Sequence, residues 1–317
     1  MGTGGVGGYL GGRLAQAGKD VTFIARGKHL EAIRTTGLRV DSICGDFIVH
    51  PAKACSSTKE IGCANLIILA TKAWNLDEAL EQMRPMVGSD SLILPLLNGM
   101  EHITLLRSAF GERVLGGLCR ISSFIEGPGH VRHVAVQPYI AFGSFAHPTP
   151  SCKLGAVLEC FTGVLGVQAE CPVDIHAAMW HKFIVMSAIS GVGAATRKPI
   201  GECRSDPTIR TLMLRALEET AAVGVSFCSA LAADEAVRMA LHRIEMTEPS
   251  LTASMHKDIE QGKRSELEAQ TGAVIRMGRS KGVPTPTHEW VYEQLLPLEL
   301  DACKFAAGVP APAAGGP

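Results

Sequence analysis

The stretch GTGGVGGYLGGRLAQAGKDVTFIARG, from Gly2 to Gly27, decides how the rest of the chain is read. Its glycines at 2, 4 and 7 have GxGxxG spacing, and Tyr9 to Ala17 follows at helical period until Gly18 stops it. Val21-Thr22-Phe23-Ile24-Ala25 is then a short β-branched run of buried-strand type. A glycine turn opening a helix lets backbone amides approach a pyrophosphate at the positive helix end. Gly2, Thr3, Gly4, Gly5, Val6 and Gly7 are therefore candidate dinucleotide contacts, the plainer alternative being a tight turn without a ligand. The residue after the strand reports which dinucleotide, because an acid there would bond a ribose hydroxyl whereas a cation suits the 2′-phosphate of NADP. It is Arg26, with Lys28 and His29 close behind, and the expected cofactor is NADP(H). Such a motif should follow a buried strand, yet only Met1 precedes Gly2. The first strand of the sheet is thus expected to be missing, either through a start placed several residues late or in a sheet that folds damaged.

Outward from this stretch, Leu66 to Ala70 is a second apolar run, Leu76 to Met86 is helical, and Ser91 to Leu97 is a third run ending at Asn98-Gly99. Alternation at this pitch implies a parallel, doubly wound sheet. Between about 119 and 145 the pattern changes to short strands with turn residues, which suggests antiparallel additions at the sheet edge. From Asp174 onward strand signals vanish, and helical patterns cover about 174–195, 207–223, 231–244, 251–261, 265–281 and 287–297. The expected fold class is α/β, with an N-terminal Rossmann-type sheet lacking its first strand and an all-helical C-terminal domain. Pro172 biases Cys171 away from helix, which divides the chain into 1–172, 173–305 and an Ala, Gly and Pro tail at 306–317 read as disordered.

Composition narrows the function classes. At 317 residues the chain holds about two domains of ordinary size. Lys and Arg number 30 against 31 Asp and Glu, so there is no basic excess to neutralise a phosphate backbone, and nucleic acid is not an expected partner. The longest apolar runs fall far short of the roughly 18 residues of a membrane span, and no cationic leader with an apolar core opens the chain. A cytoplasmic protein is expected. Ten cysteines without CxxC spacing read as thiols in a reducing compartment, not as a disulfide framework or zinc site, and the histidines form no ligand set, so no metal is expected.

Ala70-Thr71-Lys72, Leu97-Asn98-Gly99-Met100, Trp180-His181-Lys182-Phe183, Ser254-Met255-x-x-Asp258 and Arg264-Ser265-Glu266 follow the glycine loop in this order. Together with the loop, these motifs make the chain similar, to about residue 300, to the ketopantoate reductases (2-dehydropantoate 2-reductases) of the 6-phosphogluconate-dehydrogenase-like group. The resemblance implies a two-domain reductase in which NADPH delivers a hydride to the C2 ketone of a small 2-oxo acid, ketopantoate becoming pantoate in pantothenate biosynthesis. It implies Lys182 and Glu266 as catalytic residues, Lys72 and Asn98 against the cofactor, Asn98 also against substrate, and Ser254 at the substrate carboxylate. The chemistry agrees, since hydride addition creates an alkoxide that needs a proton and a nearby cation.

Lys182, Met186 and Ser190 are spaced i, i+4, i+8 and line one helix face. Where the ketopantoate reductases carry asparagines that hold the substrate's polar groups, this chain has Met186 and Ser190, so both are candidate substrate contacts and the identity of the 2-oxo acid stays open. Taken singly these side chains are ordinary: a helical Lys is usually a solvated charge, Asn98 before Gly99 is a turn residue, and Trp180 is core. The alternatives are a related reductase with another 2-oxo acid, or a dinucleotide-binding protein without catalysis. A monomer and a homodimer are both compatible with the sequence.

Overall fold

The computed structural model describes residues 1–145 and 152–306. Its first half alternates helices and strands in the order α1 (Gly5–Gln16), β1 (Thr22–Ile24), α2 (Gly27–Thr36), β2 (Leu38–Ser42), β3 (Phe47–Val49), β4 (Lys53–Cys55), β5 (Leu66–Leu69), α3 (Leu76–Met83), β6 (Leu92–Pro95) and α4 (Glu101–Phe110). β7 (Gly116–Gly127), β8 (His130–Gly143), α5 (Cys152–Phe161) and β9 (Gln168–Glu170) complete it. Helices alone follow: α6 (Ile175–Thr196), α7 (Ile200–Ser205), α8 (Pro207–Val225), α9 (Ala233–Glu245), α10 (Ser254–Glu260), α11 (Ala273–Lys281) and α12 (Pro286–Ala306), with a π-helical turn at Glu268–Gly272.

The parallel sheet is split. β1 pairs with β4 and β5 with β6, each as a separate parallel pair. Residues 1–3 run between these pairs: the Ala70 amide donates to the Met1 carbonyl at 2.9 Å, while the Thr3 amide and hydroxyl both donate to the Ile24 carbonyl, at 3.1 and 2.9 Å. They make the bonds of one strand end between β1 and β5, and among the described residues no strand pairs with the lengths of edge beyond them.

The segment expected to add short strands at an edge does something else. β7 and β8 form a long antiparallel hairpin, and β8 also pairs with β2 and β9, which puts it inside a five-stranded sheet. Register shifts between Arg120 and Ser122 and between Ile125 and Gly127 interrupt the alternation, so two long strands read as several short ones. α7 was not anticipated. α12 runs past the expected stop at Pro297, whose missing N–H removes one helical bond while buried Leu295 and Ala302 hold the helix on either side. Of the expected tail, Ala306 ends α12 and 307–317 lie outside the described residues.

Two compact units result: Met1–Leu97 with His102–His176, and Ala177 onward together with Asn98–Glu101. Four residues that chain order places in the first unit therefore belong to the second. The first unit is built on one apolar cluster around Tyr9, Ile33, Leu38, Val131 and Phe142 and another around Leu69, Met83, Ile93 and Leu106. In the second unit α6 is apolar all round, as a helix enclosed by others must be, and buries Met179, Trp180, Phe183, Ile184 and Val192. Trp180 is fully buried, its ring 5.8 Å from Phe183 and 6.0 Å from Phe227. Among the described residues no helix is long and apolar enough to cross a membrane.

Candidate functional site

In the first unit the glycine loop ends at a helix start that lacks a side-chain cap. Gly4 is the N-cap of α1 and offers no capping side chain, and a Cβ placed on it would meet nothing within 4 Å. The amides of Gly5, Val6 and Gly7 have no intrahelical acceptor and face an anion's natural position. Gly2 takes φ +83°, and a Cβ on Gly7 would lie 2.2 Å from the Gly2 carbonyl, so the turn closes only with glycine at both positions. The hydroxyls of Thr71, which packs on Gly2, and Ser123, whose backbone packs on Gly5, are buried without a hydrogen-bond partner. Free amides, open space at Gly4 and two unpartnered hydroxyls are a donor set that fits a diphosphate. Thr3 differs, since its hydroxyl is already committed to Ile24.

Arg26, expected as the cation for the 2′-phosphate, is paired in this structure. Its guanidinium makes a two-pronged salt bridge with Glu78, at 3.0 and 2.6 Å, and Gln82 donates to the same carboxylate at 3.0 Å. Both partners are more than half exposed, at 56% and 52% of their side-chain surface, so solvent screens the pair and its rupture costs about 0–1 kcal/mol. Lys72 is exposed, with Nζ 5.5 Å from the centre of the Trp74 ring.

In the second unit α6 contains one Lys, Arg, Asp or Glu among its residues, and it is Lys182. A lone charge on an apolar, half-buried face needs a polar partner. Lys182 Nζ donates to Asn98 Oδ1 at 3.0 Å, and Asn98 Nδ2 donates to Glu266 Oε2 at 2.9 Å. An ammonium only donates and a carboxylate only accepts, so this order also fixes which way the amide points. Glu266 is 5% exposed and lies two residues before the π-helical turn, a distortion that recurs at functional sites.

The loop carrying Asn98 is pinned twice just after it. Gly99 takes φ +90°, and a Cβ there would come within 2.3 Å of the Ala269 carbonyl. Glu101 receives the Arg276 guanidinium at 3.1 and 2.7 Å, and Arg276 also binds Glu268 at 2.7 Å. Glu268 in turn accepts from the Tyr292 hydroxyl, a bond that pushes the Tyr292 phenol up to about 12.

Met186, one turn along α6 from Lys182, is half-buried, and Ser190, a turn further, is wholly buried with its hydroxyl unpartnered. Ser254 is the exposed first residue of α10 and stands outside the Lys182–Asn98–Glu266 chain. Sequence reasoning passed over Glu78, Glu101 and Arg276; each works through a partner remote in sequence, 52 residues away for Glu78 and 175 for the Glu101–Arg276 pair, and no local pattern marks them. One cluster of potential metal ligands does form among the described residues, with His130 Nε2 at 3.0 Å from Asp41 and 3.4 Å from Glu126. Arg39 and Arg132 neutralise its carboxylates at 2.8 and 2.9 Å, so an added cation would find little net negative charge.

An α/β unit with a helix start that fits a diphosphate and a helical unit with a lysine, amide and carboxylate in series are the features of a dinucleotide-dependent oxidoreductase. The family model described as ketopantoate reductase PanE/ApbA matches residues 1–147, and that described as its C-terminal part matches 174–299. The chain belongs to the ketopantoate reductase family, whose members are NADPH-using oxidoreductases acting on CH–OH. It is 32% identical over 311 residues to the uncharacterized oxidoreductase YkpB of Bacillus subtilis, with 95% of this chain and 98% of that protein covered. Identity to the 2-dehydropantoate 2-reductase of Mesorhizobium japonicum is 29% over 314 residues, covering 90% and 93%. The crystal structure of a PanE/ApbA family ketopantoate reductase from Ralstonia eutropha superposes with a TM-score of 0.84 at 30% identity, over 96% of this chain and 98% of that one.

Proposed function

We propose that the protein reduces the C2 ketone of 2-dehydropantoate to the hydroxyl of pantoate. The observation that carries this reading is the Lys182–Asn98–Glu266 hydrogen-bond chain, which holds a proton donor and a carboxylate on the two sides of one amide. Bound NADPH supplies the hydride that adds to C2. Lys182 then gives a proton to the carbonyl oxygen as negative charge develops there, and its ammonium stabilises that charge before the transfer. Asn98 keeps Nζ from swinging away. Glu266 balances the ammonium through the amide and accepts a hydrogen bond from the product hydroxyl. On the cofactor side the amides of Gly5, Val6 and Gly7 bind the diphosphate, Arg26 exchanges Glu78 for the 2′-phosphate, and Lys72 lies against the ribose. Ser254 receives the substrate carboxylate.

A second reading has its own observation. Met186 presents a thioether one turn from Lys182, which offers the distal part of a substrate no hydrogen bond, and the only polar group a turn further is the buried Ser190 hydroxyl. A 2-oxo acid with an apolar arm would meet this face better than one ending in a hydroxyl, a difference of about 0.5–1.5 kcal/mol. The test is a panel of 2-oxo acids, with and without a terminal hydroxyl, scored by NADPH oxidation. Ketopantoate is expected to give the highest kcat/KM; a clear lead for an unhydroxylated acid would transfer the assignment to the second reading, and no oxidation with any member would leave a binding protein.

A further inference from the structure

We infer that Glu299 is a positioning residue that sets the Glu266 carboxylate. This rests on the reading of Glu266 given above.

Glu299 lies on α12 and is 7% exposed. A carboxylate so enclosed is costly unless its lone pairs are used, and here Ser265 takes most of them, with the Cys303 thiol adding a longer bond to Oε1 at 3.8 Å. The Ser265 amide donates to both oxygens, at 3.1 and 3.0 Å, and the Ser265 hydroxyl donates to Oε2 at 2.6 Å. The same hydroxyl accepts the Leu267 amide at 3.2 Å. Ser265 is thereby tied to α12 and Leu267 to Ser265, and Glu266 is the residue between them.

The π-helical turn that follows is held at Glu268, by Arg276 and by Tyr292, and Leu267 before it provides no capping bond, so the Ser265–Glu299 bonds are the anchor on the N-terminal side of Glu266. An apolar side chain at 299 would fill the space at lower electrostatic cost, so packing alone does not account for a carboxylate there. What the charge adds is a fixed backbone on each side of Glu266, whose Oε2 must stay within reach of Asn98 Nδ2. Misplacing a reacting group by about 1 Å costs on the order of 100-fold in rate.

The experiment compares Glu299→Gln, Ser265→Ala, Glu266→Gln and the Glu266→Gln/Glu299→Gln double variant in the full chain. The readouts are kcat with the best 2-oxo acid of the panel, the NADPH Kd by fluorescence, and the melting temperature. Glutamine would turn an amide donor toward the Ser265 N–H. Glu299→Gln should lower kcat roughly 10- to 100-fold while the NADPH Kd holds, and Ser265→Ala should lower it less. If Glu299 acts through Glu266, the double variant should be no slower than Glu266→Gln alone, whereas general loosening of the helical unit would add its own factor. Unchanged kcat in Glu299→Gln with Glu266→Gln slow, or a double variant slower by the full Glu299→Gln factor, would overturn the inference alone. Normal turnover in Glu266→Gln would overturn the reading of Glu266 and the inference with it. Should Glu299→Gln fail to fold, Ser265→Ala, which removes one hydroxyl from the same anchor, decides by the same criteria.

Discussion

Arg26 and Lys182 are both cations assigned to oxygen anions, and the two units treat them in opposite ways. Arg26 stands at the surface of the first unit, held by a full countercharge on Glu78. Lys182 stands on the apolar α6 of the second, held by the neutral amide of Asn98, with the countercharge one residue further at Glu266. An exposed ion pair is weak because water screens it, so a phosphate can displace Glu78 at small cost. A half-buried ammonium bonded only to an amide keeps its charge available for the oxygen of a reacting carbonyl. On the proposed reading the same residue class serves binding in one unit and chemistry in the other, the difference set by burial and by the charge of its partner.

The largest test of this contrast is Lys182→Ala. Its loss should lower turnover by roughly 10²–10⁴-fold for every 2-oxo acid, as removal of a general acid does, with NADPH affinity little changed. Steady-state kinetics beside a cofactor titration would reveal the split, and near-normal turnover would end the assignment. Of intermediate size is Arg26→Ala, which should weaken NADPH about 10-fold or more, the scale of a lost hydrogen bond to a charged group, and leave NADH almost untouched. Glu78→Gln sharpens it from the other side: freeing the guanidinium should tighten NADPH by up to about fivefold, in keeping with the small strength of an exposed pair. Equal effects on both dinucleotides would show that Arg26 does not meet the 2′-phosphate.

The smallest effect concerns a carboxylate–imidazole pair buried in the helical unit, the counterpart of the exposed Arg26–Glu78 bridge. Glu219 receives the Thr287 and His288 amides at 2.7 and 3.0 Å, and its Oε2 lies 2.8 Å from His288 Nδ1. Burial pushes its carboxyl up, but the bonds from His288 and Thr287 outweigh burial and hold it below the ordinary glutamate value of 4.5. A lowered native value means that the ionised form stabilises the fold at pH above 4.5, and that this contribution fades as pH falls through the native value. Thermal melts on a descending pH series should show this loss in the parent chain and a flatter profile in Glu219→Gln.

Where sequence reading failed, the cause was a partner remote along the chain. The hairpin of β7 and β8 was read as edge pieces because its bulges break the alternation, and because nothing local tells β8 that it will lie between β2 and β7. The partner of Arg26 is hidden for the same reason: Glu78 lies 52 residues away. The helical half was plainer. Long apolar periodicity survives in α8 and α9 because every third or fourth residue faces the same core, whatever the topology, and α6 stands out by being apolar all round.

By itself the sequence determined the glycine turn before α1, the change from alternating strands and helices to helices alone, and the placing of a single charged residue, Lys182, on an otherwise apolar helix. These follow from neighbours within one or two turns, where glycine conformations, β-branching and period act directly. Only the tertiary structure decided that Asn98 would join Lys182 and Glu266 across 84 and 168 residues, that Glu299 would hold the turn before the π-helix, and that Glu78 would cover Arg26. Each of those contacts depends on chain closure over long distances, and no propensity of the residues involved specifies which remote side chain arrives.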